Sequence, residues 1–295
     1  MLRSMKDMEG YSIGATDGII GQVKDLYFDD DAWVIRYLVV ETGEWFSSRR
    51  VLISPIAIGQ PNWSEKIFPV SITQEQVKGS PNIDTAKPVS RQHEMGYLGY
   101  YGYPYYWEGG ALWGGALYPN MMLSNPSDGG SNAEYRRAQA ENARADTEAD
   151  SEIHKRDDPN LRSGNEIIKY NVHATDGDIG HVQGLIVDEK TWAIRYLIVN
   201  TSNWWVGHQV LIAPQWIDNI SWMDFKVSVD LTRQAVKDAP AYDSTTALDR
   251  EHEMRIHTHY GRVGYWGGEA KHEKSVATEH AGMPSPEVAA RRESV

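Results

Sequence analysis

Much of this chain is written twice. Residues 11–109 align with residues 170–268 at a fixed offset of 159, without a gap, and 39 of the 99 aligned positions are identical. Chance does not produce a gapless match of that length, so the chain carries an internal duplication and must use a fold that can be built twice. Ala15-Thr16-Asp17-Gly18 returns as Ala174-Thr175-Asp176-Gly177, and Val51-Leu52-Ile53 with Pro55 returns as Val210-Leu211-Ile212 with Pro214. The most apolar repeated segment is Trp33-Val34-Ile35-Arg36-Tyr37-Leu38-Val39-Val40, matched by Trp192-Ala193-Ile194-Arg195-Tyr196-Leu197-Ile198-Val199.

Short, β-branched and aromatic runs of this kind favour a buried strand over a helix. Strict alternation puts Trp33, Ile35, Tyr37 and Val39 on one face and Val34, Arg36, Leu38 and Val40 on the other. Both faces are largely apolar, so both need cover. Asp17-Gly18 predicts a tight hairpin turn, with a strand from about residue 19 to 28 after it. Gly21 lies early in that strand and marks a bulge or a close backbone approach. Thr73 predicts the N-cap of a short helix over residues 74–78.

The repeat continues past the strands into two aromatic tails. Arg91, His93, Glu94 and Met95 match Arg250, His252, Glu253 and Met254; Tyr101, Tyr106 and Trp107 match Tyr260, Tyr265 and Trp266. Matched spacing predicts that part of each tail is ordered and covers strand surface. The expected boundaries are a first repeat with its tail over 8–109, a linker over 110–163 that is partly disordered or helical, a second repeat with its tail over 164–268, and a disordered tail over 269–295.

Composition removes several function classes. There is no cysteine, which excludes thiol catalysis, disulfides and cysteine-ligated metals. A net charge of −12 argues against direct contact with nucleic acid or anionic lipid. No stretch approaches the length of an apolar transmembrane helix, and the first residues lack a signal-peptide pattern, so a cytoplasmic protein is expected.

With these residues laid out, each half resembles a PRC-barrel domain, the family found in the photosynthetic reaction-centre H subunit and in ribosome maturation factors. The pattern is the Asp17-Gly18 hairpin with Gly21, then Trp33-x-Ile35-Arg36-Tyr37-Leu38-Val39-Val40, Gly43-x-Trp45, and Val51-Leu52-Ile53-x-Pro55. The second half follows it, with Ser202 where Gly43 stands. The resemblance implies a mainly all-β fold of two small antiparallel barrels, each with a short helix and an aromatic tail. It supplies no catalytic residue, and it implies a binding or assembly module; the duplication adds the expectation that the two barrels pair about a pseudo-twofold axis.

The candidate residues carry two readings each. Arg36 and Arg195, inside apolar strands, are structural ion pairs or anchors for a partner's anion. Tyr101, Tyr106, Trp107 and Trp113, with Tyr260, Tyr265 and Trp266, are lids on the strands or an interaction surface. His93-Glu94 and His252-Glu253 fail the zinc-protease pattern, because Tyr97 and Ile256 stand where its second histidine belongs. The Asp29-Asp30-Asp31 run reads as a solvated turn. No catalytic, metal or cofactor site is expected. The expected function is a non-enzymatic interaction or scaffold module with an unknown protein partner; the alternative is a regulatory protein that binds a small ligand or metal in a cleft between barrels.

Overall fold

The computed structural model describes residues 1–43, 49–81, 89, 91–107, 109–123, 161–201 and 208–266. The expectations for residues 124–160 and 269–295, and for Trp45 and Trp204, fall outside them. The chain divides into two units, Met1–Asp249 and Arg250–Val295.

The first unit opens with strand β1 (Leu2–Ser4) and a single helical turn, Met5–Met8. Strands β2 (Ser12–Ala15), β3 (Gly18–Asp29), β4 (Val34–Thr42), β5 (Arg50–Ile53) and β6 (Ile67–Pro69) follow, then helices Gln74–Lys78 and Arg91–Tyr101. After the linker come β7 (Leu161–Ser163), the turn Gly164–Ile167, and strands β8 (Asn171–Ala174), β9 (Gly177–Asp188), β10 (Ile194–Asn200), β11 (Gln209–Ile212), β12 (Ile217–Ser221) and β13 (Lys226–Val229). Helix Arg233–Lys237 closes this series, and helix Arg250–His259 opens the second unit.

The fold is mainly β, in two sheets. The first has the order β5-β4-β3-β2-β6, and the second runs β11-β10-β9-β8-β13 with β12 added at the end. Their matched cores are filled by the same positions: Ile13, Leu26, Leu38 and Phe68 in one, Val172, Leu185, Leu197 and Val227 in the other, all fully buried. The sheets are mixed rather than purely antiparallel, because β2 pairs with β6, and β8 with β13, in parallel. A long connection returns the chain to the starting side of the sheet, and that permits the parallel pairing.

Local chemistry explains the elements. Thr73 forms a capping box with Gln76 at the start of helix Gln74–Lys78. The hairpin aspartates do more than turn the chain: Asp17 accepts the Gln74 backbone N–H at 2.8 Å and Asp176 accepts that of Arg233 at 2.7 Å. Gly21 and Gly180 mark a close backbone approach, since a Cβ on either would stand 2.0 Å from a carbonyl oxygen of the next strand.

The faces assigned to the central strand need correction. Trp33 and Trp192 precede β4 and β10 and are left-handed turn residues, with φ of 55° and 60°. In β4, Tyr37 pairs with Tyr27 and Ile35 with Phe28, so Arg36 is an extra residue in a bulge; Arg195 is extra between Ile194 and Tyr196 in the same way. A bulge re-aims one side chain and breaks the two-residue alternation.

The sheets are joined by exchange. Strand β1 pairs with β9 in the second sheet, and β7 pairs with β3 in the first. Residues 161–163, expected in the linker, are therefore part of the first sheet, and residues 2–4 part of the second.

Candidate functional site

Two departures from local rules, the left-handed turns at Trp33 and Trp192, lie where the two sheets meet. The left-handed turn at Trp33 is closed by its N–H to the Asp29 carbonyl at 2.8 Å, and that at Trp192 by its N–H to the Asp188 carbonyl at 2.8 Å. A bulky aromatic at positive φ is strained and persists only where its surroundings impose it. Here the two strained residues lend their carbonyls to each other's strands: Ile194 N–H donates to Trp33 O at 2.7 Å and Ile35 N–H to Trp192 O at 2.8 Å.

The exchanged arms reinforce that junction. Arg3 donates to Glu189 at 2.8 Å and stacks over Trp63 with its guanidinium carbon 3.7 Å from the ring centre. Arg162 does the same with Asp30 at 3.0 Å and Trp222 at 4.5 Å. Each arginine thus bonds the opposite half and stacks on its own. The pseudo-symmetry breaks at Gly164, where a Cβ would stand 2.3 Å from the Met5 sulfur. Met5 fills the space that its own counterpart leaves open.

Arg36 is buried and pairs with Asp29 at 3.3 Å. It also donates to the Leu112 carbonyl at 2.6 Å and lies 3.8 Å over the Tyr106 ring. Burial pushes its pKa down, and Tyr106 and Asp29 oppose the shift. Arg195 pairs with Asp188 at 3.3 Å and donates to Thr191 Oγ1 at 3.2 Å. Asp29 is therefore not solvated. Its Oδ1 accepts the backbone N–H groups of Asp31 and Ala32, and its Oδ2 accepts from Arg36. Although the three carboxylates of residues 29–31 lie within 4.8 Å of one another, Asp29 and Asp30 already have those partners.

The first tail packs on the first sheet. Tyr97 meets Tyr37 edge-on at 4.9 Å, donates to the Leu52 carbonyl at 3.0 Å and accepts from the Ser54 N–H at 3.2 Å. Tyr97→Phe leaves two buried backbone groups without a partner and is expected to cost about 2 kcal/mol in a urea melt. Trp113 is fully buried and donates its indole N–H to the Thr191 carbonyl at 2.8 Å, across to the second sheet. Burial takes Tyr106 and Trp113 out of any interaction surface, while Tyr101 and Trp107 are half-buried.

Glu94 holds the tail closed. It is fully buried, accepts a short hydrogen bond from the Tyr106 hydroxyl, and pairs with Arg91 at 3.1 Å. Arg91 donates to the Tyr106 hydroxyl at 2.8 Å and its guanidinium lies 4.4 Å from the Trp107 ring centre. Within the second unit the clasp recurs: Tyr265 donates to Glu253 at 2.7 Å, Arg250 pairs with Glu253 at 3.1 Å, and Arg250 lies 4.5 Å from the Trp266 ring centre. Tyr260, Tyr265 and Trp266 are half-buried there.

Burial raises the Glu94 carboxyl from its ordinary 4.5 to about 7, against the pull of Arg91. The folded pKa is the higher one, so the stabilisation is complete below the unfolded value and is lost as pH rises through about 7. From about pH 5.5 to about pH 8, the wild type is expected to lose on the order of 2 kcal/mol relative to Glu94→Gln in urea melts. Parallel pH profiles for the two proteins would contradict this.

Residues 4–75 match the PRC-barrel domain family. A stretch of 65 residues is 38% identical to an uncharacterized protein of Deinococcus radiodurans, and it spans 22% of this chain and 23% of that protein. Among the described residues, no helix is long and apolar enough to cross a membrane. Strands β2 to β6, with the Trp33 turn and the Arg36 bulge, therefore lie within a stretch that matches a PRC-barrel domain.

Proposed function

We propose that this chain is a non-enzymatic interaction module built from two PRC-type repeats, an intramolecular pseudo-dimer that presents a composite surface to a protein partner. The observation that carries this reading is where the buried polar chemistry goes. Asp29 pairs with Arg36, Arg36 also donates to the tail at the Leu112 carbonyl, and Glu94 pairs with Arg91. Such groups fix one arrangement of packed elements rather than turn over a substrate. The match of residues 4–75 to the PRC-barrel domain family supports the same reading.

A second reading is favoured by two cavities of about 490 Å³ and about 560 Å³ between the sheets, sizes that suit a small ligand. Cross-linking of the full chain in its own cells, followed by mass spectrometry, separates the two. A recurrent protein cross-linked through the lysines is expected. Native mass spectra that show a stoichiometric small molecule, with no recurrent cross-linked protein, would overturn the interaction reading in favour of the second.

A further inference from the structure

The duplication relates the two cavities to each other. Pro55, Ile58 and Trp63 face Glu189, Lys190 and Trp192 across the first cleft. At matched offsets Pro214, Ile217 and Trp222 face Asp30, Asp31 and Trp33 across the second. In the first cleft the chain supplies a further wall from its own tail, Tyr118-Pro119-Asn120-Met121. There the 3-10 turn Pro119–Leu123 packs on the 3-10 turn Pro55–Ala57, with Pro119 buried. Among the described residues, no such segment lines the second cleft, which the tail touches through Leu112. The chain therefore displays, on one side of its pseudo-twofold axis, the kind of peptide this cleft shape receives.

The two clefts differ in charge. Asp31 stands where the first cleft has Lys190, and Asp218 where it has Gly59; both are exposed. Asp30 is already paired with Arg162, and Arg195, which also lines this cleft, is paired with Asp188, so Asp31 and Asp218 are the carboxylates left at the rim. We propose that the second cleft is a peptide-docking site for an aromatic–proline segment of a partner protein that carries a basic side chain. The proline ring packs against Pro214 and Ile217, the aromatic ring lies beside Trp33 or Trp222, and the base meets Asp31 and Asp218. Apolar anchoring supplies contact and the charges supply selection. This rests on the interaction reading and names its surface.

Two labelled hexapeptides test it by fluorescence anisotropy against the full chain: residues 118–123 as they stand, and the same peptide carrying Asn120→Lys. The lysine peptide is expected to bind about fivefold tighter at low salt and to lose that advantage near ~0.5 M salt. The double variant Asp31→Lys, Asp218→Asn removes both rim carboxylates, keeps a side chain in strand β12, and should erase the preference with little change in melting temperature. Failure of both peptides to bind, or an unchanged preference in the double variant, overturns the proposal. Preference for the neutral peptide overturns it too and assigns the cleft to the tail of a second copy. Cross-linking in cells with the double variant keeps the two readings apart. A partner captured equally by wild type and variant leaves the interaction reading standing and removes the cleft from it; no partner with either removes the reading itself.

Discussion

A chain lacking residues 1–8 is expected to melt roughly 10 °C below the full chain, and this deletion acts on the sheet farther away in sequence. Met5 and Met8 are buried at 0% and 1% exposure, and burying each contributes roughly 1.5–3 kcal/mol. The deletion also strips the β1 pairing from residues 186–188 and leaves Glu189 without Arg3. In a protein of this size each kcal/mol moves the midpoint by roughly 2–4 °C. Arg3→Ala alone removes a half-exposed ion pair and a stacking contact, so its shift is expected to be a small fraction of the deletion's. The exchange has a second consequence. Residues 1–123 and 161–295, produced as separate chains in one cell, should co-purify as a 1:1 complex, because each completes the other's sheet. Differential scanning calorimetry and gel filtration read these outcomes. A truncated chain that melts with the full one, or two halves that purify apart, would remove the exchange as a source of stability.

The sequence made much of this legible. The offset of 159 predicted two equivalent strand sets, and the common strand order follows it. Thr73, Asp17-Gly18 and Gly21 were readable because caps, turns and close approaches have local residue requirements. The arm exchange lies outside the aligned 11–109 and 170–268, although Leu2-Arg3-Ser4 and Leu161-Arg162-Ser163 repeat at the same offset. The repeat thus reaches back before Tyr11 to include both arms. Which sheet each arm joins would have stayed hidden, because strand pairing between distant segments leaves no local signal. The bulges at Arg36 and Arg195 were invisible for a related reason. An extra residue in a strand does not alter composition, and the alternation rule assumes that none is present. The site was the least legible part. The aromatic tails advertised themselves, yet the structure buries Tyr106 and Trp113. The second cleft is lined by Asp30, Trp33, Pro214 and Trp222, residues from both halves that no single motif joins.

Gly180→Ala is expected to cost about 3–4 kcal/mol, a fall in melting temperature of roughly 10 °C. Two terms add. Gly180 has φ of 141°, which a residue with a Cβ rarely adopts, and its added Cβ would stand 2.0 Å from the Asn200 carbonyl oxygen and 3.0 Å from the Thr201 Cα. Both obstacles are backbone, so no side-chain rotation relieves them. Strands β9 and β10 must separate instead, and β10 carries the Arg195 bulge a few residues away. Gly21→Ala meets the same carbonyl contact, 2.0 Å from the Glu41 oxygen, without the positive φ, and is expected to cost less. Gly99→Ala provides the opposite sign. It lies in helix Arg91–Tyr101 with no atom within 4 Å of its added Cβ, so the change should stabilise by about 0.5–1 kcal/mol. Thermal melts of the three variants decide the order. If Gly180→Ala melts with the wild type, the close approach of β9 to β10 is not what holds the second sheet. If it melts low while Gly99→Ala melts high, the cost belongs to the backbone contact and not to glycine replacement as such.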